Sequence, residues 1–130
     1  MGDWRTGRLV HLVFVLVATM CSGAALSLAR GNVLGRLYNE VVLDDYDHFL
    51  PCEELPSAAQ VRRIVEEHED IVRAIQEINP GHIFVEVDYS SCLGRADIIV
   101  SYATHQDRLA IEEILGGHSF YGVPCRFRNI

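Results

Sequence analysis

Lysine is absent from this sequence, and all 11 of its basic residues are arginine. Without a lysine amino group the chain cannot form a Schiff base with a carbonyl substrate or use lysine as a general base. It also lacks the lysine that a phosphate-binding P-loop places on a nucleotide. The absence of this one residue type therefore excludes several common enzyme chemistries.

Basic residues as a class are few, 11 against 18 acidic residues, and the formal net charge is −7. A protein that binds nucleic acid non-specifically needs a basic surface to displace phosphate counterions, and attachment to anionic lipid by charge needs one too. We therefore expect no nucleic-acid partner. A chain of 130 residues is also too short for a β/α barrel or a full doubly wound sheet, so one domain is expected.

Cysteine is sparse, and no C-x-x-C pair typical of zinc ribbons or thioredoxin-like proteins is present. Beyond residue 29 the cysteines are Cys52, Cys92 and Cys125. Three cysteines in an exported domain favour one disulfide and leave one thiol. The sequence leaves the pairing open.

The first 29 residues have the features of a secretory signal peptide. Arg5 and Arg8 give a positive start, an apolar run covers residues 9–21, and small residues lead to Ala29. This order predicts cleavage before Arg30, with a cut near Ala24 or Ala25 as the alternative.

The same apolar segment, residues 9–29, is long enough to be an uncleaved membrane anchor. A buried core helix is a third interpretation. Cleavage predicts a secreted or periplasmic protein, whereas an anchor predicts residues 30–130 held outside the cytoplasm. In the anchored case the membrane is contacted through residues 9–29 alone.

Residues 57–130 predict a small α/β domain. Ser57 and Gln60 form a capping box at the start of a long helix that ends at Asn79. Alternation over 82–89 and β-branched residues over 96–103 predict a hairpin. A second helix then covers 105–115, with Leu109 and Ile111 inward and Asp107 and Arg108 outward. A last strand follows over 121–127.

The preceding segment, residues 30–56, is poorly defined and contains a stretch over 37–43 that could be a first strand. The element order is then βαββαβ, or αββαβ without that strand. Either order predicts an α+β, ferredoxin-like antiparallel sheet with two helices on one face. The N-terminal apolar helix would precede this domain.

Two groups of side chains are candidate sites. Oxygen and nitrogen donors that could bind a metal ion cluster in an acidic loop: Asp44, Asp45, Asp47 and His48. Side chains suited to an exposed sheet face, where a protein or peptide partner could dock, occur in the strands: Phe84, Tyr102, Tyr121, Arg126 and Arg128.

Motifs for catalysis are incomplete. His68 and Glu69 begin a zinc-protease pattern, but Val72 stands where its second histidine is required. Asp88 and Asp97 could face each other in the hairpin, with Arg95 near enough to pair with either. We therefore expect an exported or membrane-anchored domain that binds a protein or peptide, without a cofactor and without catalysis. The alternatives are a metal-responsive module, which would use the acidic loop or the His and Cys residues, and a small enzyme.

Overall fold

The structure is a computed structural model of the chain, and it describes residues 33–130. The predicted signal peptide or anchor, residues 1–29, lies outside these residues. The chain divides into two compact units, Met1–Tyr38 and Asn39–Ile130. Among the described residues, no helix has both the length and the apolar character needed to cross a membrane.

The described part of the chain contains both helices and strands, so the predicted α+β class is confirmed. The helices are α1 (Val33–Val41), a short 3-10 helix (Cys52–Glu54), α2 (Ala58–Glu67), α3 (Glu69–Glu77) and α4 (His105–Leu115). The strands are β1 (Phe84–Asp88), β2 (Asp97–Tyr102), β3 (Ser119–Phe120) and β4 (Val123–Asn129).

The strands of residues 33–130 form a four-stranded sheet in the order β1-β2-β4-β3. The predicted hairpin is confirmed, because β1 and β2 pair antiparallel. Strands β2 and β4 are adjacent and parallel, and the chain between them contains helix α4. The sheet is therefore mixed and not antiparallel. In the predicted ferredoxin-like order a first strand would separate them. Residues 37–41 belong to helix α1 instead, because apolar residues there recur at helical spacing. The ferredoxin-like arrangement is therefore not confirmed.

The long helix predicted over 57–79 is broken at His68. Its start is confirmed, with Ser57 and Gln60 making both hydrogen bonds of the capping box. His68 leaves the helical region (φ −121°, ψ 35°) and separates α2 from α3. Its ring stacks on Tyr121, with centroids 3.5 Å apart and planes 4° from parallel. This tertiary contact accompanies the break, which no proline or glycine marks in the sequence.

Helix α4 is rotated relative to the prediction. Leu109 was expected inward and is 46% exposed, whereas Asp107 and Arg108 were expected outward and are buried. Asp107 forms the capping box with Thr104. Hydrogen bonds from Thr104 and Asn79 lower the pKa of Asp107 against the opposing and largest effect, the desolvation that burial imposes.

The core lies on one face of the sheet. Alternate residues of the strands point into it, among them Ile98 and Val100 of β2 and Phe127 of β4. Val61 of α2, Ile75 of α3 and Ile111 of α4 cover this face. The other face carries the polar residues of the strands, and the candidate sites lie there and at the edges of the sheet.

A disulfide joins Cys52 to Cys92, so the prediction of one bridge is confirmed and its pairing is now known. It ties the 3-10 helix to the turn between β1 and β2. Cys125 is the free thiol and is buried in the sheet. Desolvation raises its pKa to about 12, which keeps the thiol protonated.

Candidate functional site

Arg126 is at the centre of an ionic cluster on the polar face of the sheet. Its guanidinium binds Asp97 through two hydrogen bonds of 2.6 and 2.8 Å and also contacts Asp88. Hydrogen bonds from Ser90 and Ser91 hold the pKa of Asp88 well below its usual range, and Arg126 contributes to the same effect. The two aspartates thus face each other as the hairpin suggested, but their partner is Arg126. Arg95 binds the Leu55 carbonyl instead.

His48 completes this cluster with both of its ring nitrogens engaged. The Leu50 amide donates to Nδ1 at 3.0 Å, so the proton of the neutral ring is on Nε2. Nε2 lies 2.8 Å from Asp97 and donates to it. No ring nitrogen is left to take a proton from a substrate or to bind a metal ion, so the arrangement is suited to holding residue 48 against the sheet.

Arg108 of α4 is at the centre of a second ionic cluster, which includes Asp44 and Glu112. It donates to the carboxylate of Asp44 at 2.9 Å and to Glu112 at 2.8 Å. His118 is 3.0 Å from the same Glu112 carboxylate. These bonds explain why Arg108 is buried on a helix face that the sequence indicated as outward. The hydrogen bond with Glu112 and the nearby charges of Asp44 and Glu112 raise the pKa of Arg108 in spite of its desolvation, which is the largest single effect.

The side chains of the acidic loop, residues 44–48, pair with different partners. Asp44 pairs with Arg108, Asp45 and Asp47 lie 3.7 and 3.3 Å from Arg128, and His48 binds Asp97. Among residues 33–130, no three His, Cys, Asp or Glu side chains are arranged to hold a metal ion. The four predicted donors therefore do not come together, and a cation would have to displace arginines to reach them.

The candidate partner-binding residues fall into three environments. Tyr102 is fully buried and donates its hydroxyl to the Asp44 carbonyl, so it is not available to a partner, contrary to the prediction. Burial raises its pKa. Arg126 and Arg128 are engaged by the ion pairs described above. Phe84 and Tyr121 are exposed, at 45% and 54%.

Tyr121 lies at the rim of a small open cavity. It occupies the turn between β3 and β4 with φ 49°, in the left-handed region that side chains other than glycine rarely adopt. The cavity has a volume of about 260 Å³, and its lining residues come from α3, α4, β3 and this turn: Ile71, Ile114, Leu115, Ser119, Tyr121 and Gly122.

One edge of the sheet is closed by the chain itself. Along the outer edge of β4, the amide of Cys125 donates to the His118 carbonyl and the amide of Phe127 donates to the Tyr46 carbonyl. The amide of Asn129 donates to the Asp45 carboxylate at 2.8 Å. The acidic loop therefore continues the short strand β3 and satisfies the donors along this edge.

The opposite edge is open. Within residues 33–130, β1 has β2 as its sole strand neighbour, and no loop makes a backbone hydrogen bond to Phe84–Asp88. Alternate residues of this strand direct their amide and carbonyl groups away from β2. We call the outer edge of β1 the open edge. The sequence predicted the hairpin, but it did not indicate which of its strands would lie outermost, because that depends on the pairing of β2 with β4.

The side chains of the open edge divide between the two faces of the sheet. Val85 and Val87 pack against the core, whereas Phe84 and Glu86 are exposed on the polar face. Tyr89 follows the strand and is 46% exposed, beneath the guanidinium of Arg62. The strand thus offers unpaired backbone together with aromatic surface at both of its ends.

Comparisons of the chain with protein-family models, with curated proteins and with solved structures gave no match.

Proposed function

We propose that this protein is an exported, non-catalytic binding domain that takes an extended segment of a protein or peptide partner as an added strand on the open edge. The observation that carries the proposal is the contrast between the two edges of the sheet. The outer amides of β4 at 125, 127 and 129 have acceptors from the chain, whereas β1 has none on its outer side within residues 33–130.

An unpaired edge strand normally carries a feature that prevents other chains from pairing with it, such as a bulge, a proline, a covering loop or a charged side chain. In β1 the exposed Glu86 is a feature of the last kind. Residues 84–88 are Phe-Val-Glu-Val-Asp, and the strand pairs with β2 over all five residues without a bulge. Its amides are therefore available in the regular geometry that an incoming strand requires. Strand addition uses these backbone bonds for affinity and the flanking side chains for specificity.

Exposed apolar surface supports the same site. Phe84 at the start of β1 and Tyr89 just beyond its end are both close to half exposed. Aromatic side chains supply contact area at low cost in conformational entropy, and they are enriched at protein interfaces. The disulfide between Cys52 and Cys92 is compatible with an extracellular location, which favours a partner outside the cytoplasm.

The proposal is tested with an acetylated and amidated peptide, Thr-Val-Lys-Val-Tyr-Val-Thr, added to the oxidised full chain. Binding is followed by NMR and by amide hydrogen exchange. The expected result is slowed exchange of alternate amides in β1, with no change at the outer amides of β4.

Backbone methylation of the peptide provides the control. One version is methylated on the nitrogens of its Lys and Tyr, the other on those of its valines. Because alternate amides of an added strand face the sheet, one version should lose binding and the other should keep it. Equal effects of the two versions, or no binding at millimolar peptide, would contradict strand addition.

A further inference from the structure

The open edge has an electrostatic preference that identifies the kind of segment it takes. We infer that the partner strand presents a lysine or arginine opposite Glu86 and an apolar or aromatic residue two positions away, opposite Phe84. This inference rests on the proposed strand addition and adds the chemistry of the partner to it.

Glu86 is the central residue of β1 and is exposed on the polar face. Its carboxylate makes no hydrogen bond or ion pair with any residue of the described part of the chain. Its cross-strand neighbour is Ile99 of β2, which offers no charge. The other acidic residue of this strand, Asp88, is already neutralised by Arg126. One unpaired negative charge therefore stands at the middle of the open edge.

A strand added to β1 places one of its side chains directly beside Glu86. Opposite charges at such a position attract each other, and like charges repel each other. The next residue on the same face of the added strand lies two positions along, where Phe84 is exposed. An apolar or aromatic residue there would cover the phenyl ring. The predicted motif reads basic-x-apolar when the added strand is antiparallel to β1 and apolar-x-basic when it is parallel.

A second copy of this chain is the alternative occupant, and the same charge argues against it. In an antiparallel pair of β1 strands centred on the middle residue, Glu86 would face Glu86 of the other copy. Like charges directly opposite are destabilising. The net charge of −7 adds repulsion between copies over a longer range, and it attracts a basic segment.

The test reverses the charge of one residue in the peptide and of one residue in the protein. Each combination is titrated by NMR on the oxidised full chain, and its Kd is measured. The lysine of the peptide above is replaced by glutamate, and the protein is prepared as wild type, Glu86→Lys and Glu113→Lys. Glu113 is an exposed residue of α4 that makes no hydrogen bond or ion pair with another described residue, so Glu113→Lys reproduces the change in net charge on another element.

We expect the glutamate peptide to bind the wild type roughly tenfold more weakly than the lysine peptide. Glu86→Lys should reverse this order, and Glu113→Lys should leave it unchanged. Both peptides could bind the wild type equally while methylation of one set of alternate peptide amides still abolishes binding. In that case strand addition stands and the charge preference is overturned. If methylation has no such effect, or if the chain self-associates through β1, the proposed function itself is overturned.

Discussion

Asp88 of β1 lies directly opposite Asp97 of β2 in the antiparallel pair, an arrangement in which two carboxylates repel each other. Arg126 reaches both of them from the next strand, β4, and His48 binds Asp97 from the acidic loop. The side chain of Asp97 is only 3% exposed, so its charge depends on these partners. The guanidinium of Arg126 thereby connects three strands, and Asp97 connects them to the acidic loop through His48.

Replacing Arg126 should destabilise the domain strongly. The change Arg126→Met leaves two nearly buried carboxylates without their counter-charge, and breaking such an arrangement costs about 3–5 kcal/mol. Urea unfolding would measure the loss. The further change Asp97→Asn should recover part of it, because one of the opposed charges is then gone.

Arg128→Met is the matched control for that experiment. Arg128 is on the same strand, but it is 32% exposed and pairs with Asp45 and Asp47 at longer distances. Exposed ion pairs contribute about 0–1 kcal/mol. Equal effects of the two substitutions would show that Arg126 does not act by neutralising the aspartates.

Stability should decrease in acid through Asp88. Hydrogen bonds from Ser90 and Ser91, and the contact with Arg126, hold its pKa in the folded state below the value of about 4 found in unfolded chains. A depressed folded pKa contributes stability that is present above the unfolded pKa and is lost as pH falls below it.

We therefore expect Asp88→Asn to flatten the decline of stability as pH falls below about 4. Urea unfolding at several pH values measures the slope. Glu113→Gln, which removes an exposed carboxylate without such hydrogen bonds, should leave the slope unchanged. A slope that is the same in wild type and Asp88→Asn would contradict the assignment.

The disulfide should be a major source of stability. It closes a loop with a sequence separation of 40, for which chain entropy predicts about 4 kcal/mol. Reduction, or the double change Cys52→Ser with Cys92→Ser, should lower the free energy of unfolding by up to that amount.

Alkylation of the oxidised full chain, followed by peptide mapping, tests the pairing itself. Cys125 is buried and its pKa is raised to about 12, so it should react after the addition of denaturant and not before. Cys52 and Cys92 should react only after reduction. Alkylation of either in the unreduced protein would show that the bridge is absent.

Local signals in the sequence were sufficient for the parts of the fold that depend on near neighbours. The capping residues Ser57 and Gln60 lie within one helical turn, and their bonds are present as predicted. The alternation over 82–89 likewise predicted a strand, and its alternate residues Ile83, Val85 and Val87 lie in or against the core.

The parts that failed depend on residues distant in the chain. Arg108 is buried because Asp44, 64 positions earlier, supplies its counter-charge, and no helical pattern contains that information. The break at His68 accompanies stacking on Tyr121, and the parallel pairing of β2 with β4 depends on the absence of a strand between them. Asp45 and Asp47 were predicted as metal ligands and Arg128 as a partner-binding residue, but these side chains form ion pairs with one another.

The difference between the two edges limits the number of strands that can be added to the sheet. The acidic loop and β3 occupy the outer side of β4, and β3 itself has only two residues. Of the two edge strands in the described sheet, β1 is therefore the one long enough to pair with an added strand over five residues. Growth into a fibre requires two available edges on every unit. Under the proposed strand addition, the expected stoichiometry is therefore one added strand per chain.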